Sequence, residues 1–424
     1  MLRHVEHVTG PLPAPWREAF KSVPRAAFLP PVIWLRRADG LPDHEPCDRA
    51  ADPNRWQKVA WSDTPAVIQV RDGLDPEPGE PAWPSSSVSQ PSVVASTLLA
   101  LDVLDGHRVL EIGTGGGWNA GLLAHRLGHA NVVTVEVDPS LAAAARDRLD
   151  ALGLLPQVVA GDGAHGWAAG APYDRLVSTC SVAHIPSAWL EQVRPGGLIV
   201  TPWTTSWSAY GTLLLTPHQD GTASGRFTPG GSFMAMRSHR SRIRDIGAVV
   251  RPDDAPDTST TTLSPWDVAG GDRHVEAIMG LMLPALWTHW DDEPKVTDVR
   301  SRLWIGDDAQ TSWATVDYDG RQLDSFRIRQ HGPRRLWDEV TAAWLWWTSA
   351  NRPPIDAFGL DITPDGAQTI WCAKPDGSMW LVPLVPNNDL ETPEQTSSTR
   401  LTKSGPSEGR SDSGSCPSAV SESG

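Results

Sequence analysis

One short stretch constrains the fold more than any other, because an apolar run leads through a glycine-rich loop into a helical pattern. The run HRVLEI ends at Ile112, the loop GTGGG covers residues 113–117, and the helical spacing of WNAGLLAHRLG closes on Gly128. A strand joined to a helix by a tight glycine turn is typical of a parallel α/β sheet. Ligands of such sheets bind at the carboxyl ends of strands, where this loop lies.

The alternation of strand and helix continues after the loop. Residues 131–137, 156–163, 173–180 and 198–203 predict further strands, and residues 139–153 and 186–193 predict helices. Strands that alternate with helices favour a mostly parallel, Rossmann-like sheet covered on both faces. The predicted fold is therefore α/β.

Changes in composition divide the chain into five parts. We predict an N-terminal segment over 1–84, the Rossmann-like domain over 85–245, a linker over 246–265, a smaller Trp-rich α+β domain over 266–386 and a disordered tail over 387–424. In the fourth part Leu336, Val340, Trp344 and Trp347 have amphipathic helical spacing. That part is either a stabilising cap or a docking site for a peptide.

Total charge and cysteine usage narrow the class of protein. The 424 residues carry a formal charge of −15, so nothing favours binding to nucleic acid or to an anionic membrane. The cysteines form no CxxC pair, and no metal site is predicted. The first ten residues lack an apolar signal region, and no run is long enough to span a membrane. We therefore expect a reduced, cytoplasmic protein.

The glycine loop itself excludes two common ligands. A phosphate-binding loop of the Walker type needs Gly-Lys-Ser/Thr, but Gly117 is followed by Trp118 and Asn119. A dinucleotide loop needs Gly or Ala at its sixth position, which is Trp118 here.

Acidic residues at three successive strand ends favour a nucleoside cofactor that carries positive charge. Glu111 precedes the loop and is expected to face a cationic group, which S-adenosylmethionine provides. Glu136 is expected to accept hydrogen bonds from ribose hydroxyls, and Asp162 to reach the adenine amino group. The alternative is that all three are ordinary acids at strand ends.

Taken together, an ordered series of motifs resembles the protein-L-isoaspartate O-methyltransferase family, from about Trp16 to about Arg240. These motifs are VPRAAFLP at 23–30, WSDTPAVIQV at 61–70, SVSQPSVVA at 87–95, the glycine loop, GDG at 161–163, and the segments 173–186 and 191–203. The resemblance implies a class I S-adenosylmethionine-dependent methyltransferase that esterifies a carboxylate of a peptide or protein.

The resemblance also assigns roles to residues. Ser89 would be the catalytic hydroxyl next to the substrate carboxylate, with Ser87, Val88, Gln90 and His184 as substrate contacts. The residues expected to hold the cofactor are Glu111, Gly113, Thr114, Gly115, Gly117, Glu136, Val137, Gly161, Asp162 and Gly163.

The chain continues for nearly two hundred residues beyond the resemblance. Repair of arbitrary damaged proteins does not need such an addition, and this one resembles the extensions of actinobacterial homologues that tailor ribosomally made peptides, including lanthipeptides. We therefore favour methylation of an aspartate side chain that then forms a succinimide and isoaspartate. The alternatives are isoaspartyl repair of damaged proteins and a non-catalytic peptide-binding scaffold.

Several side chains keep two interpretations. Ser89 lies just before a helix predicted to begin at Pro91, so its hydroxyl can cap that helix, contact substrate, or do both. The residues that precede it, Trp83–Ser86, are typical of a loop that moves over the substrate. His125 and His129 lie four apart on a helix but are expected to be surface residues. Arg237, His239 and Arg240 either meet an acidic peptide or form a solvated basic face.

Overall fold

The protein is described here by a computed structural model that covers residues 1–37, 44–76, 80–240, 246, 249–373 and strand 379–384. The predicted tail lies outside the described residues. All of the described residues belong to one compact unit, Met1–Val385.

The N-terminal segment builds a small antiparallel sheet with the strand order β2-β1-β3-β4. Its elements are α1 (Leu2–Thr9), α2 (Ala14–Ser22), β1 (Val32–Arg36), β2 (His44–Asp48), α3 (Pro53–Trp61), β3 (Ala66–Val70) and β4 (Pro84–Val88). The serine cluster is therefore a strand and not the predicted loop. Its backbone pairs with the fully buried β3, with an irregular register at Gln69, and this long-range pairing outweighs its local loop-like composition.

The central region follows the predicted alternation of strands and helices. Its elements are α4 (Pro91–Ala100), β5 (Val109–Ile112), α5 (Trp118–Leu127), β6 (Val132–Glu136), α6 (Pro139–Asp150), β7 (Gln157–Ala160), β8 (Tyr173–Ser178), α7 (Ser187–Gln192), β9 (Val193–Pro202), β10 (Thr212–Pro217) and β11 (Ala223–Thr228). The strands β7-β6-β5-β8-β9 are parallel, and β10 and β11 then add antiparallel to β9. The Rossmann-like α/β fold is thus confirmed.

The rest of the chain contributes a second sheet and extends the first. Its elements are β12 (Asp257–Thr261), α8 (Pro265–Ala269), α9 (Arg273–Met282), β13 (Leu286–Asp291), β14 (Ser301–Asp307), β15 (Trp313–Tyr318), β16 (Phe326–His331), α10 (Leu336–Ser349), β17 (Phe358–Ile362), β18 (Gln368–Ala373) and β19 (Met379–Leu384). The second sheet has the order β12-β16-β15-β14-β13. The amphipathic helix predicted around Leu336 and Val340 is α10.

The structure differs from the predicted division of the chain in two places. The predicted linker contains β12, which pairs with β16 from Asp257↔Gln330 to Thr261↔Phe326. The predicted C-terminal domain contains β17, which pairs with β11 and so continues the methyltransferase sheet through β18 and β19. Both differences arise because backbone pairing between distant segments leaves no local signal in composition.

Alternating residues of the parallel strands feed two apolar cores on the two faces of the sheet. Val109 and Val177 belong to the core shared with the N-terminal helices, and Leu110 and Leu176 belong to the other core. This second core runs without a break into the C-terminal region, where it includes Trp337. The C-terminal region therefore covers one face of the methyltransferase sheet.

One buried side chain shows how firmly the two regions are joined. The Gln368 amide on β18 accepts a hydrogen bond from Ile185 N–H (2.9 Å) and donates one to the Ile185 carbonyl (2.7 Å). Gln368 is 8% exposed and Ile185 2% exposed, so no bulk water competes for these groups.

We predict that Gln368→Leu lowers the free energy of unfolding by about 2 to 4 kcal/mol, because two buried backbone groups lose their partner. Urea denaturation followed by tryptophan fluorescence measures the change. Gln322→Leu, at an exposed turn, is the matched control and should change stability by less than about 0.5 kcal/mol. If the two variants have equal free energies of unfolding, the hydrogen bonds between Gln368 and Ile185 do not stabilise the fold.

Candidate active site

The glycine loop between β5 and α5 lies directly against the end of β4. Gly113 has φ of +91°, a conformation that glycine adopts without strain. A Cβ atom at Gly116 would lie 2.5 Å from Cγ2 of Val88 and 2.8 Å from the carbonyl oxygen of Phe28. Only glycine therefore allows this approach, which brings the loop to the strand that leads into Ser89.

The carboxylate of Glu136, at the end of β6, is held by the same loop. Its Oε2 accepts a hydrogen bond from Gly115 N–H (2.8 Å), and its Oε1 accepts one from Asp138 N–H (3.1 Å). Burial raises the pKa of Glu136, and these two donors partly offset the rise. On the next strand end, Asp162 accepts from Ala164 N–H (2.9 Å).

Glu111 occupies a different place from the one predicted. It is fully buried and does not line the cavity described below, so it does not face a ligand across open space. Its Oε1 accepts from Asn119 Nδ2 (2.7 Å) at the start of α5, and its Oε2 has no hydrogen-bond partner among the described residues. Burial raises the pKa of Glu111 to about 7, although hydrogen bonds with Thr134 and Asn119 act in the opposite direction. We infer that Glu111 supports the loop from behind.

A cavity of about 1040 Å³ opens over the carboxyl ends of these strands. Such a volume is at the upper end of small-molecule sites and suits a cofactor together with part of a second ligand. The predicted residues that line it are Ser87, Val88, Ser89, Gln90, Gly113, Thr114, Gly115, Glu136, Val137, Asp162 and Gly163. Four predicted residues lie outside the lining: Glu111, Gly117, Gly161 and His184.

Ser89 lines the cavity but does not cap α4. The residue before that helix is Gln90, and it makes no side-chain capping bond. The cap comes instead from Asp63, whose Oδ1 accepts from Ser92 N–H (2.7 Å) and whose Oδ2 accepts from Gln90 Nε2 (3.1 Å). The Ser89 hydroxyl has no hydrogen bond within the described part of the chain and is therefore available to a ligand.

The position of Ser89 depends on the buried side chain of Arg25. Its guanidinium donates to the carbonyl of Val88 (2.9 Å) and to that of Thr64 (2.7 Å), and it lies 5.7 Å from the ring centroid of Trp118. Burial lowers the pKa of Arg25 to about 10, so the group stays charged at neutral pH. The strand end beside Ser89 is thus fixed by charge-assisted hydrogen bonds.

His184 does not line the cavity, and its ring stacks on that of His239 with 4.1 Å between ring centroids. Nδ1 of His239 accepts a hydrogen bond from Ala183 N–H (3.2 Å). Burial, and then the charge of His184, lowers the pKa of His239 to about 3, and burial also lowers the pKa of His184. Both rings are therefore neutral at physiological pH, and a substrate contact of His184 stays a prediction.

Arg237 and Arg240 line the cavity, and both are already paired with acids. Asp72 pairs with Arg240 Nη1 (2.7 Å) and with Arg237 Nε (3.1 Å), and Asp138 pairs with Arg237 Nη2 (3.2 Å). Burial acts to raise the pKa of Asp138, but hydrogen bonds from Ser140, then Gln69 and others including Arg237, hold it well below its usual range. This pairing does not match a solvated basic face, and contact of these two arginines with a peptide stays a prediction.

Sequence reasoning missed several lining residues from distant segments. They are Trp34 and Arg36 on β1, the segment Phe233–Met236 after β11, and Arg273 at the start of α9. No local pattern marks them, because their approach to the cavity depends on how the sheets pack. Asp63 could have been recognised, since it lies in the quoted motif WSDTPAVIQV.

The residues present fit S-adenosylmethionine. Two carboxylates, Glu136 and Asp162, stand at neighbouring strand ends and suit hydroxyl and amino donors, while Val137 and Met236 offer apolar contact. The glycine loop offers close backbone approach, and the two acids favour a ligand with positive charge. When bound, this cofactor supplies an electrophilic methyl group.

Comparison with known proteins identifies the family. The family model described as protein-L-isoaspartate(D-aspartate) O-methyltransferase matches residues 46–225. A protein-L-isoaspartate O-methyltransferase of Polaromonas sp. is 40% identical over 147 residues, which are 34% of this chain and 69% of the relative. The chain belongs to the protein-L-isoaspartate O-methyltransferase family. A relative from Thermococcus onnurineus is 34% identical over 188 residues, which are 44% of this chain and 68% of that protein.

The matches span about two thirds of the length of these relatives. Among solved structures, one described as protein-L-isoaspartate O-methyltransferase has 19% identity and a TM-score of 0.47, and covers 88% of this chain and all of its own. A methyltransferase of this family from Plasmodium falciparum, in complex with S-adenosyl-L-homocysteine, has 13% identity and a TM-score of 0.40 over 56% of this chain and 96% of its own.

Family membership confirms the predicted cofactor and the predicted class of enzyme, an S-adenosylmethionine-dependent O-methyltransferase. Among the described residues, no helix is long and apolar enough to cross a membrane. In the same part of the chain, no group of three or more His, Cys, Asp and Glu side chains is arranged to hold a metal ion.

We predict that Ser89→Ala lowers kcat by roughly tenfold to a hundredfold, the usual cost of losing a hydrogen bond to a charged group. Cofactor affinity should stay within about twofold, because the glycine loop and Glu136 are untouched. Steady-state kinetics and calorimetric titration with S-adenosylhomocysteine measure the two quantities. Ser96→Ala, on α4 away from the cavity lining, is the control. Unchanged turnover in Ser89→Ala would exclude a role in the reaction.

We predict that Glu111→Gln removes part of the pH dependence of stability. The pKa of Glu111 is raised from 4.5 to about 7 in the folded protein, so its stabilising proton is lost as pH rises through that window. The free energy of unfolding of the wild type should therefore fall, relative to Glu111→Gln, by up to about 3 kcal/mol.

Urea denaturation at pH 5 and at pH 8 measures this difference, with Glu293→Gln as an exposed control. The free energy of unfolding of Glu111→Gln, relative to that of the wild type, should be higher at pH 8 than at pH 5. If the free energies of unfolding of Glu111→Gln and of the wild type change by the same amount between the two pH values, Glu111 does not titrate in this range.

Proposed function

We propose that the protein methylates an aspartate side-chain carboxylate in a ribosomally made peptide, of which a lanthipeptide is the favoured kind. The ester formed would cyclise to a succinimide and then open to isoaspartate. We also propose that this takes place in the cytoplasm, where ribosomal peptides are made.

One observation carries the choice of a dedicated peptide over general repair. Arg273 of α9 lines the same cavity as Ser89 and Glu136, although it lies well beyond the region matched by the family model. An enzyme that repairs arbitrary damaged proteins must admit many surfaces, whereas walls added by an extra layer restrict what enters. This arrangement supports a substrate of defined shape.

The residues around the cavity suit this chemistry. A carboxylate oxygen attacks the methyl carbon, the carbon–sulfur bond breaks, and its electron pair stays on sulfur. An aspartate is already ionised at neutral pH, so no strong base is needed and positioning is the main contribution of the protein. The free hydroxyl of Ser89 can donate to the oxygen that does not attack.

The second step needs no further residue of the cavity. The backbone nitrogen that follows the esterified aspartate attacks the ester carbonyl and loses its proton, and methanol leaves. Hydrolysis of the succinimide then gives isoaspartate. A bridged peptide whose geometry brings that nitrogen close to the ester would react faster than a flexible one.

Repair of isoaspartyl proteins is the second candidate, and the family match supports it equally well. The two candidates differ in the carboxylate that they methylate. Repair acts on the α-carboxylate of isoaspartate in an unconstrained chain, and peptide tailoring acts on an ordinary aspartate side chain held in a ring. A non-catalytic scaffold would act on neither.

Methyl-labelled cofactor tests the three candidates. We expect label in a thioether-bridged aspartyl peptide, followed by loss of methanol detected by mass spectrometry, and much less label in a linear isoaspartyl peptide. Ser89→Ala is the control for background. Label in the linear isoaspartyl peptide alone would establish repair. No label in either peptide, without binding of S-adenosylhomocysteine, would favour the scaffold.

A further inference from the structure

The charged side chains around the cavity fall into two groups. Its arginines are Arg36, Arg237, Arg240 and Arg273, and its carboxylates are Glu136 and Asp162. The lining is thus rich in cations although the whole chain carries a charge of −15. Because the composition of the whole chain does not account for this local excess of positive charge, we look for its cause in the contacts that the four arginines make.

Two of the four arginines are satisfied within the protein. Arg237 and Arg240 are bonded to Asp72 and Asp138 as described, and their side chains are only 28% and 19% exposed. Asp72 and Asp138 therefore neutralise these two arginines, and the ion pairs stabilise the wall of the cavity.

The other two arginines, Arg36 and Arg273, have no ion pair or side-chain hydrogen bond within the described part of the chain, and both are exposed. They come from distant elements, β1 and α9, yet line one cavity. Arg273 is also the first residue of α9, where a cation is unfavourable to the helix dipole. Helix stability therefore does not account for it.

We propose that Arg36 and Arg273 select a substrate peptide that carries acidic residues next to the methylated aspartate. This inference rests on the proposed function and names the substrate class of the same site. Each guanidinium can bind a carboxylate with two parallel hydrogen bonds, which a neutral amide side chain does not match.

The negative charge of the rest of the protein makes this selection more specific to the cavity. An acidic peptide is repelled by the protein as a whole and attracted only at the cavity, so it binds well only in the correct place. Salt screens exposed pairs over about 10 Å at 0.1 M, and the preference should weaken at higher ionic strength.

Binding of two labelled peptides tests the proposal without depending on turnover. The peptides are thioether-bridged aspartyl peptides that differ only in their flanking residues, which are Glu in one and Gln in the other. With S-adenosylhomocysteine present, fluorescence anisotropy should show roughly three- to tenfold tighter binding of the Glu peptide. In the double variant Arg36→Glu/Arg273→Glu this preference should disappear or reverse.

Controls separate the proposal from its alternatives. Arg3→Glu makes the same type of substitution, with half the charge change of the double variant, on exposed α1 away from the cavity, and should keep the preference. Affinity of the double variant for S-adenosylhomocysteine should stay within about twofold; a large loss, with the peptide preference kept, would mean that the arginines bind the cofactor and would overturn the proposal. Equal binding of both peptides by the wild type would also overturn it.

Methylation of the same two peptides is measured independently of binding, so that the proposed reaction and the proposed selection can fail separately. If neither peptide is methylated but the wild type prefers the Glu peptide and the double variant does not, the proposed reaction is wrong and the selection of acidic peptides stands. If both are methylated but bind equally, the proposed reaction stands and the selection is wrong.

Discussion

The geometry of the active site depends on one buried cation. The side chain of Arg25 is inaccessible to solvent and donates hydrogen bonds to the backbone carbonyls of Val59, Ala60, Ser62, Thr64 and Val88. A buried charge is tolerated only where polar groups replace its hydration, and these carbonyls do so at Nη1 and Nη2. The segment that carries the capping Asp63 and the strand that ends beside Ser89 are therefore fixed to the same guanidinium. Contact with the Trp118 ring extends this support to the helix after the glycine loop.

The two apolar cores support different parts of the molecule. The core on the side of the N-terminal helices supports the cofactor loop and the strand before Ser89. The other core joins the methyltransferase sheet to the C-terminal region, from which Arg273 reaches the cavity. Because Gln368 bonds Ile185, which belongs to this second core, the C-terminal wall of the cavity is coupled to the methyltransferase sheet.

The parts of the fold that follow from local pattern were predictable from the sequence. The strand, glycine loop and helix from Val109 to Leu127 have the right periodicity, and the C-terminal helix does as well. The strand at Pro84–Val88 was not predictable, because serines favour a loop until β3 pairs with them. Glu111 was assigned the wrong surroundings for a similar reason: its position in the sequence marks a strand end, but only packing decides which side of the loop it occupies. The cap from Asp63 and the ion pairs of Asp72 with Arg237 and Arg240 depend equally on contacts between distant segments.

The pairing of β11 with β17 has a consequence for synthesis of the chain. Arg226 lies opposite Gly359, so more than a hundred residues must leave the ribosome before β11 finds its neighbour. Until then the nascent sheet ends in an open hydrogen-bonding edge of the kind that recruits other chains. The second sheet, whose strands lie between these two in sequence, can form before β17 is synthesised. During refolding of the full-length chain from denaturant, by contrast, β17 is available to cover the β11 edge from the start.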